Sequence, residues 1–408
     1  MGVENNIPEG WVETSIGKVT VVESGGTPST KNPSYWGDEI PWITPRDLSS
    51  FKDVFIEKGE RSISIEGLEN SSAKLLPKNT ILFSSRAPIG YVVIAQNETA
   101  TNQGFKNLIC DEVNSHFKYF YYLMKYKADF IERLSSGSTF SEASGTLIKS
   151  IELNLPLLQE QKAIAKVLTS FDDKIELLQA QNKTLETMAQ TIFKEWFGKY
   201  QIGDELPEGW RVGCLGDVAI NHSKTYKFTD KKVVFVNTGD VLEGEFLHKN
   251  EISPVGLPGQ AKKVIELHDI LYSEIRPKNK RFAFVDFDTS NYVVSTKFMI
   301  IRTKLDFSTY ILYLILKNQV TINEFNTIAE SRSGTFPQIT FDSIKDFPIV
   351  IPSIDAKQKF ESILKPIMAK QKVNNNQIQS LTKTRDTLLP KLMSGQVRVN
   401  NIKQTADA

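Results

Sequence analysis

The densest group of side chains that could bind a ligand lies at residues 276–281, which read Arg-Pro-Lys-Asn-Lys-Arg. Four cations fall within these six residues, directly after a strand-like run. A guanidinium group can donate two hydrogen bonds to guanine O6 and N7, and both types of cation neutralise phosphates. We therefore predict DNA contact by Arg276, Lys278, Lys280 and Arg281, in preference to a merely solvated loop.

Two arginines of the first half also follow turn-forming residues. Arg46 ends the turn Thr44-Pro45-Arg46, and Arg86 lies within residues 84–88, Ser-Ser-Arg-Ala-Pro. Either guanidinium could reach a guanine edge or a phosphate, and a surface ion pair explains each of them equally well. The strand-like run before Arg86 is paralleled by residues 271–273, so the basic loops of the two halves follow matching strands.

Amide and hydroxyl side chains form a third candidate set. Residues 101–106 offer amides suited to adenine N6 and N7, and residues 295–298 are their counterpart. The loops at 137–140 and 333–338 could place hydroxyls on phosphates, although ordinary turn chemistry is the preferred explanation of those hydroxyls. The full set of predicted DNA-contacting residues is Lys31, Thr44, Arg46, Ser84, Arg86, Asn102, Gln103, Lys106, Ser273, Arg276, Lys278, Lys280, Arg281, Thr296, Lys297, Thr335 and Gln338.

Catalytic signatures are weak throughout the chain. Residues 32–35 (Asn-Pro-Ser-Tyr) lack the second proline of the adenine methyltransferase motif, and no strand followed by a Gly-x-Gly loop offers a site for S-adenosylmethionine. Residues 25–31 lack the Gly-Lys-Ser/Thr order of a phosphate-binding loop. Asp269, Glu274 and Arg276 have nuclease-like charges at a spacing that is common by chance. The two cysteines and four scattered histidines form no metal-ligand spacing, so we predict no catalytic residue, metal or cofactor in this chain.

Three classes of function remain open on these residues. They are a non-catalytic DNA-reading scaffold, a DNA methyltransferase or nuclease in its own right, and a coiled-coil adaptor with two protein-binding domains. The lack of a cofactor-binding loop favours the scaffold over the enzyme. Arginine-bearing polar loops at matching places in both halves favour it over the adaptor.

Two long helices must position these loops. From Gln159 to Phe197 the apolar residues recur at alternating steps of four and three without Pro or Gly, which predicts a helix about 55–60 Å long with a heptad seam. A less complete seam follows at an offset of 196 residues, which indicates an internal duplication and predicts an antiparallel coiled coil. The predicted seam residues are Ile164, Leu168, Phe171, Ile175, Leu178, Asn182, Leu185, Ile192, Trp196, Phe360, Leu364, Ile367, Asn374, Ile378, Leu381 and Leu388.

One polar pair could set the register of this coiled coil. In full antiparallel overlap Asn182 meets Asn374, and a buried amide pair fixes register at some cost in stability. Fraying near Pro366, with both amides in water, is an equally good interpretation. Pro390 should kink or end the second helix.

Composition indicates a globular protein. The chain has 408 residues, 40% hydrophobic and 24% charged, with neither a signal-peptide pattern nor a membrane-spanning run, and its few cysteines fit a reducing cytoplasm. The net charge is +1, and only residues 353–408 are clearly basic, with ten cations against four carboxylates. DNA binding would therefore need local basic loops or a basic partner.

The strand-like and helical runs predict an α+β fold with an internal pseudo-two-fold repeat. Additional helices are predicted at 117–134 and 308–324. The predicted segments are a globular domain at 1–155, a central long helix at 156–200, a second globular domain at 201–352, and a C-terminal long helix and tail at 353–408.

Several runs resemble the specificity subunit of Type I restriction-modification systems, and the likeness covers nearly the whole chain. They are the opening phrase at 7–11 with its repeat at 206–210, residues 26–29, 35–37 and 41–48, and the helix start at 156–161. This resemblance implies that each globular domain is a target recognition domain reading one half of a split site in double-stranded DNA, while the helices set the spacer.

The same resemblance implies partner proteins. It predicts a complex with two adenine-N6 methyltransferase subunits and, for cleavage, with ATP-driven restriction and translocase subunits. S-adenosylmethionine, ATP and Mg²⁺ are then expected on those partners rather than on this chain. Whether the isolated chain forms a homodimer through its helix seams is left open.

Overall fold

The computed structural model describes residues 7–49, 51–86, 88–135, 142–200, 202–228, 232–304, 306–332 and 334–399. The predicted hydroxyl loop at 137–140 lies outside these residues. Helices and short strands alternate along the described chain, so the predicted α+β class is confirmed. None of the described helices is long and apolar enough to cross a membrane.

The elements of the first half begin near the opening phrase. Its strands are β1 (Val12–Ser15), β2 (Thr20–Ser24), β3 (Trp36–Ile43), β4 (Phe55–Ile56), β5 (Arg61–Ile63), β6 (Ile81–Ser85), β7 (Ile89–Ala95), β8 (Ala100–Thr101), β9 (Phe105–Cys110) and β10 (Glu152–Leu155). Its helices are α1 (Ile16–Val19), α2 (Ile65–Glu69), α3 (Phe117–Ser135), α4 (Gly145–Ser150) and the long α5 (Leu158–Phe193).

The second half repeats this order. Its strands are β11 (Arg211–Cys214), β12 (Ala219–Asn221), β13 (Val233–Val236), β14 (Val241–Leu242), β15 (Glu245–Phe246), β16 (Glu251–Ile252), β17 (Ala261–Lys263), β18 (Ile270–Ser273), β19 (Phe282–Phe284), β20 (Tyr292–Ser295), β21 (Phe298–Thr303) and β22 (Pro348–Ile351). Its helices are α6 (Leu215–Val218), α7 (Thr309–Lys317), α8 (Gln319–Arg332), α9 (Phe341–Ile344) and the long α10 (Ile354–Met393).

The internal duplication is visible in the element boundaries. Both boundaries of β10 reappear in β22 at the predicted offset of 196 residues, and the first residues of α5 and α10 are also 196 apart. In each half the last short strand pairs antiparallel with the first, as Val12 with Leu155 and Arg211 with Ile351. The start of each long helix is therefore anchored to its own globular domain in the same way.

The chain divides into two compact units, and their boundaries cross the long helices. Unit 1 contains the described parts of Met1–Ala180 and Asn375–Ala408, and unit 2 is Gln181–Asn374. From the sequence, the long helices were predicted to be separate segments at 156–200 and 353–408. The division differs because the helix ends belong to globular cores: Ile164 packs in the core of unit 1 and Phe360 in that of unit 2.

Unit 1 is built on a five-stranded sheet of order β2-β9-β6-β7-β4, with a three-stranded sheet β5-β3-β8 and the pair β1-β10. Helix α3 packs against β7 and matches the predicted helix at 117–134 within a residue. Its Tyr119, Phe120 and Tyr122 are almost fully buried, and they share a core with Leu168 of α5 and Leu392 of α10. The N-terminal part of α5 thus lies in the same core as the C-terminal part of α10.

Unit 2 contains two four-stranded sheets, β12-β21-β18-β19 and β16-β13-β20-β17, with the pairs β11-β22 and β14-β15. The single helix predicted at 308–324 is wrong, because the structure has α7 and α8 with a break at Asn318. The backbone of Asn318 is extended, and its side-chain Oδ1 accepts a hydrogen bond from the N–H of Val320 at 2.9 Å. A short amide side chain that binds the backbone in this way competes with helix continuation.

Within each unit, none of the predicted seam residues is exposed. In unit 2, Asn374 Nδ2 donates to Asn182 Oδ1 at 2.9 Å, as the antiparallel register predicts, and Asn374 is fully buried. The alternative of two amides in water is therefore wrong for Asn374. Gln371 Nε2 also donates to the Asn182 carbonyl oxygen at 3.2 Å. A second amide side chain, about one turn before Asn374 on α10, therefore also binds Asn182.

The ends of the long helices differ in part from the prediction. Of the two outcomes predicted for Pro390, a kink or an end, the end is wrong, because α10 continues to Met393. A proline removes one helical N–H, and burial of Leu392 and Met393 in the core of unit 1 holds the last turn in place. At the other end, α5 passes into a π-turn over Lys194–Gly198, and Phe197 of that turn is buried against Phe360.

Candidate nucleic-acid interface

In unit 1 the end of β6 is held between two other segments. The Ser85 N–H donates to the Gly104 carbonyl oxygen at 2.7 Å, and the Ala143 N–H donates to the Ser85 carbonyl oxygen at 2.9 Å. These two bonds bring together the Arg86 loop, the amide-rich segment before β9 and the residues before α4. The segments predicted at 84–88 and 101–106 therefore meet at one place, where Ala143 joins them.

Unit 2 has the same three-segment arrangement at the end of β18. The Glu274 N–H donates to the Lys297 carbonyl oxygen at 2.9 Å, and the Ile339 N–H donates to the Glu274 carbonyl oxygen at 2.8 Å. Ile339 follows Ala143 by the repeat offset of 196 residues. The bond from Ile275 to the loop before α9 extends this contact, since Ile275 and Gln338 form an isolated bridge. Each unit thus has an equivalent backbone frame with different side chains.

A partly buried ion pair occupies the frame of unit 1. Lys106 Nζ lies 3.1 Å from Glu142 Oε1, and Arg86 Nη1 lies 3.8 Å from Glu142 Oε2. In unit 2 the corresponding contact joins Lys297 Nζ to Gln338 Oε1 at 3.5 Å. It is weaker than the ion pair of unit 1, because the glutamine is neutral and the distance is longer. The ion-pair interpretation of Arg86 therefore applies in this structure, although 39% of the arginine side chain remains accessible.

The basic loop of unit 2 separates its four cations into different roles. Arg281 Nη1 donates to the carbonyl oxygens of Gly239 and Val241, so this guanidinium braces a neighbouring loop. Lys280 pairs with Glu243 at 2.9 Å, and Lys278 lies 3.9 Å from Glu330. The remaining cation, Arg276, is exposed, and its guanidinium has no partner among the described residues. Of the four, Arg276 is the best placed to bind DNA.

Backbone geometry presents Arg276 to solvent. Its φ of 43° lies in the left-handed region, which is uncommon for a residue with a side chain. The Arg276 N–H donates to the Pro337 carbonyl oxygen at 3.0 Å, which holds this strained turn against the loop before α9. Strained conformations of this kind cost free energy and persist where surrounding contacts enforce them.

The remaining loops of unit 1 form a second group. Arg46 is exposed in the short 3-10 helix Pro45–Leu48, and its guanidinium has no partner among the residues that the structure describes. The Thr27 hydroxyl donates to Gln103 Oε1, which connects the loop carrying exposed Lys31 to the amide-rich segment. Arg46, Gln103 and Lys31 are therefore carried by adjoining loops.

The glycines of this group serve close packing rather than phosphate binding. A Cβ atom on Gly25 would lie 2.1 Å from the carbonyl oxygen of Asn102, and one on Gly26 would lie 2.3 Å from the carbonyl carbon of Ser72. Gly26 also donates its N–H to the Thr101 carbonyl oxygen at 2.8 Å. A side chain at either position would displace the loop that carries Lys31.

Several predicted DNA contacts are excluded in this conformation because the side chains are buried. Ser84 and Ser273 are 0% and 2% exposed, and Lys106 is 6% exposed. The Ser84 hydroxyl donates to the Pro88 carbonyl oxygen, and Ser273 Oγ accepts from the Ile275 N–H at 3.0 Å. These serines shape the turns that present the arginines, so their prediction as DNA contacts is wrong for this conformation.

Two further predicted residues are used within their own loops. The Thr44 hydroxyl donates to Asp47 Oδ2 at 2.7 Å and caps the 3-10 helix of Arg46. Asn102 Oδ1 accepts from the Gly104 N–H at 2.9 Å. Neither side chain is fully exposed, and their role in the structure is to hold the loop. The predicted residues that remain accessible are Lys31, Arg46, Arg86, Gln103, Arg276, Lys278, Lys280, Thr296, Lys297, Thr335 and Gln338.

The nuclease-like charge pattern has a structural explanation. Asp269 is fully buried and accepts two hydrogen bonds from Arg302, at 2.7 and 2.9 Å. These bonds and the Asp269 charge raise the pKa of Arg302. The described residues contain no group of three or more His, Cys, Asp or Glu side chains arranged to hold a metal ion. Asp269 therefore stabilises the fold of unit 2.

Sequence reasoning missed Arg61 and the structural use of Arg281. Arg61 stacks over the ring of Trp36 at 3.4 Å, and Trp36 meets Trp42 edge-on at 5.1 Å. Trp36 Nε1 donates to the Ser29 carbonyl oxygen, which places this stack beside the Lys31 loop. The register of β3 and β5 pairs Trp42 with Arg61, and no local pattern around an isolated arginine reveals such pairing.

Comparison with known proteins agrees with this architecture. The family model described as Type I restriction modification DNA specificity domain matches residues 8–187 and 207–383. The chain is 34% identical over 418 residues to the Type I restriction enzyme MjaIX specificity subunit of Methanocaldococcus jannaschii, covering 97% of this chain and 95% of the relative. It is also 48% identical over 174 residues to the HindI specificity subunit of Haemophilus influenzae, covering 42% of this chain and 38% of the relative.

A solved structure shares the fold. The crystal structure of the S subunit of a Type I restriction-modification system from M. genitalium superimposes with a TM-score of 0.60 at 18% identity, covering 96% of this chain and 98% of that one. The family model accounts for both globular domains, and the first relative spans nearly the whole chain. The chain therefore belongs to the family of Type I restriction-modification DNA specificity subunits, the non-catalytic recognition components of these systems.

Proposed function

We propose that this specificity subunit reads a bipartite site in double-stranded DNA, with unit 1 contacting one half and unit 2 the other. One observation supports this most directly. The same backbone frame occurs in both units, with Ala143 and Ile339 at the repeat offset, yet it carries Arg86 and Glu142 in unit 1 and Arg276 and Gln338 in unit 2. Equivalent frames with different hydrogen-bonding groups suit two half-sites of different sequence.

In this proposal the reactions belong to partner subunits. Methyltransferase subunits bind S-adenosylmethionine and methylate adenine N6, and restriction subunits use ATP and Mg²⁺ for translocation and cleavage. No specific observation favours a stand-alone methyltransferase or nuclease. We place the protein in the cytoplasm, because in this proposal it acts on DNA together with these partner subunits.

The proposed function can be tested with a random duplex library. Purified chain, alone and with its methyltransferase partner, is mixed with the library, the retained DNA is sequenced and methyl transfer is assayed. We expect a split motif with a constant unread gap, and methylation only when the partner is present. A single continuous motif, or methylation by this chain alone, would contradict the proposal.

Two equivalent surface positions support the binding of two methyltransferase copies. Leu177 on α5 is 51% exposed and Val373 on α10 is 49% exposed, and they are 196 residues apart. Exposed apolar side chains at equivalent positions suit the same partner surface twice. The mass of the purified complex should correspond to two methyltransferase subunits and one copy of this chain. A complex with only one methyltransferase subunit would show that the Leu177 and Val373 surfaces do not bind the same partner. A mass of two copies of this chain, measured without partner, would reveal a homodimer.

Helix length should set the unread gap. We consider an insertion of seven residues after Ala180 in α5 and of seven after Asn374 in α10, the boundaries between the two units. Seven helical residues add about 10.5 Å, or roughly three base pairs at 3.4 Å each. The library experiment should return the same two half-motifs with a gap longer by about three base pairs. Altered half-motifs with an unchanged gap would show that helix length does not control spacing.

Replacing Arg276 by alanine should weaken reading of one half-site. Loss of a guanidinium that contacts a base should cost about 1–3 kcal/mol, and preference should relax within one half of the motif only. Arg211→Ala is the matched control, because Arg211 is an exposed arginine of unit 2 on β11. Equal losses for the two variants would assign Arg276 a general electrostatic role, and relaxation in both halves would contradict the assignment of unit 2 to one half-site.

A further inference from the structure

We infer that Glu274 determines base preference in the half-site read by unit 2, by accepting a hydrogen bond from the N4 amino group of a cytosine. This inference rests on the proposed function and deepens it by naming a specificity-determining residue. A carboxylate is unfavourable near phosphates, so its presence in a DNA-contacting surface needs a chemical reason. The cytosine N4 amino group is the donor in the major groove that a glutamate reads.

The position of Glu274 is firmly set. Its N–H donates to the Lys297 carbonyl oxygen and its carbonyl oxygen accepts from the Ile339 N–H, so both of its backbone groups are bonded to neighbouring segments. The residue follows directly after β18, whose Tyr272 and Ser273 are buried. Glu274 is two residues from the exposed Arg276. The side chain therefore emerges from a rigid frame beside the best candidate for DNA contact.

The carboxylate of Glu274 lacks a donor among the described residues. It is half-buried, and it forms neither a hydrogen bond nor an ion pair with any residue that the structure describes. Two lysines are near enough to act on its charge, yet Lys263 Nζ donates to the Phe298 carbonyl oxygen at 2.6 Å and Lys297 Nζ is directed to Gln338. A half-buried acceptor without a donor is what an incoming amino group would satisfy.

The two lysines also make a carboxylate tolerable at this surface. Burial raises the pKa of Glu274, and the charges of Lys263 and Lys297 oppose that rise. One negative and two positive groups leave the site with a net positive charge, which is compatible with the DNA backbone. The other two carboxylates near the basic loop are engaged, since Glu243 pairs with Lys280 and Glu330 lies near Lys278.

Unit 1 has a different residue at the equivalent place. Ser85 occupies the same position in the backbone frame, but it is fully buried and its hydroxyl donates to the Gly104 carbonyl oxygen at 3.1 Å. The equivalent position is therefore closed in unit 1 and open in unit 2. A residue that differs in this way within a repeated frame is suited to distinguish the two half-sites.

The test compares Glu274→Ala and Glu274→Gln in the full-length chain with its methyltransferase partner, using the random duplex library. Wild type should prefer cytosine at one position of the half-motif that Arg276→Ala also affects. Glu274→Ala should reduce that preference by roughly 5- to 100-fold, the range of one good base contact. Glu274→Gln should shift the preference towards adenine, because an amide pairs with adenine N6 and N7.

Glu330→Gln is the matched control, since it neutralises an exposed carboxylate of the same region that is already near a lysine. It should retain the wild-type motif. Circular dichroism checks folding, and the isosteric Glu274→Gln decides the question if the alanine variant unfolds. A split wild-type motif that both Glu274 variants retain overturns this inference alone. A wild-type chain without a split motif overturns the proposed function and this inference with it.

Discussion

Replacement of Phe360 by alanine is expected to lower the free energy of unfolding of unit 2 by about 3–5 kcal/mol, the range for deletion of a buried phenyl ring. Phe360 is fully buried on α10, and its ring centroid lies 4.7 Å from that of Phe197, 5.7 Å from that of Trp196 and 6.2 Å from that of Phe193. The substitution removes the ring that joins α10 to the end of α5 within this unit. The cavity would be lined by large aromatic rings, which cannot collapse into it easily.

Urea denaturation followed by circular dichroism would measure this loss. Ile363→Ala is the matched control, because Ile363 lies one turn further along the same helix and is 38% exposed. We expect the control to cost less than about 1 kcal/mol, since little apolar surface leaves a buried environment. A loss of similar size in both variants would mean that helix propensity, rather than the aromatic cluster, determines stability there.

Replacement of Asp172 by alanine is expected to destabilise unit 1 by about 3–5 kcal/mol, because it removes the buried partner of the Arg385 guanidinium and leaves only the exposed carboxylate of Asp386. Asp172 on α5 forms an ion pair with Arg385 on α10, and the side chains are 6% and 18% exposed. The Tyr122 hydroxyl donates to the second carboxylate oxygen at 2.5 Å. Burial lowers the pKa of Arg385, but the hydrogen bonds and charges of Asp172 and Asp386 together raise that pKa overall, so the guanidinium stays charged.

A double-mutant cycle separates the ion pair from simple packing. Asp172→Leu and Arg385→Leu should each be strongly destabilising, whereas the double variant should recover much of the loss because neither charge is left buried alone. Asp173→Ala, at an exposed neighbour on the same helix, should change stability by no more than about 0.5 kcal/mol. Additive losses in the cycle would show that the two side chains do not depend on one another.

Sequence periodicity was sufficient to predict the scaffold. The alternating apolar spacing of α5 and its copy 196 residues later predicted two long helices and their antiparallel register, down to the bond between Asn182 and Asn374. Periodicity is a local property of the backbone, so it can be read without knowledge of distant residues. Short runs of β-branched and aromatic residues, bounded by turn residues, likewise predicted the strands β6 and β18 that precede the candidate loops.

Sequence alone could not tell which side chains were free to bind DNA. Arg276 and Arg281 look alike in the basic loop, yet Arg281 is bonded to carbonyl oxygens 40 and 42 residues away. Ser84 and Ser273 were predicted to contact DNA because they lie beside turn-forming residues, but both side chains are buried. Availability of a side chain depends on partners that the chain brings near it only after folding.

By itself the sequence determined the duplication, the α+β class and the long helices, and it predicted candidate DNA-contacting loops in each half. Only the tertiary structure decided that helix 308–324 breaks at Asn318, that α10 continues past Pro390, and that Glu274 occupies an open position where Ser85 occupies a closed one. The reason is physical: periodic burial and turn formation are encoded within a few residues, whereas a side chain's exposure and bonds depend on groups from distant segments that meet it in the folded core.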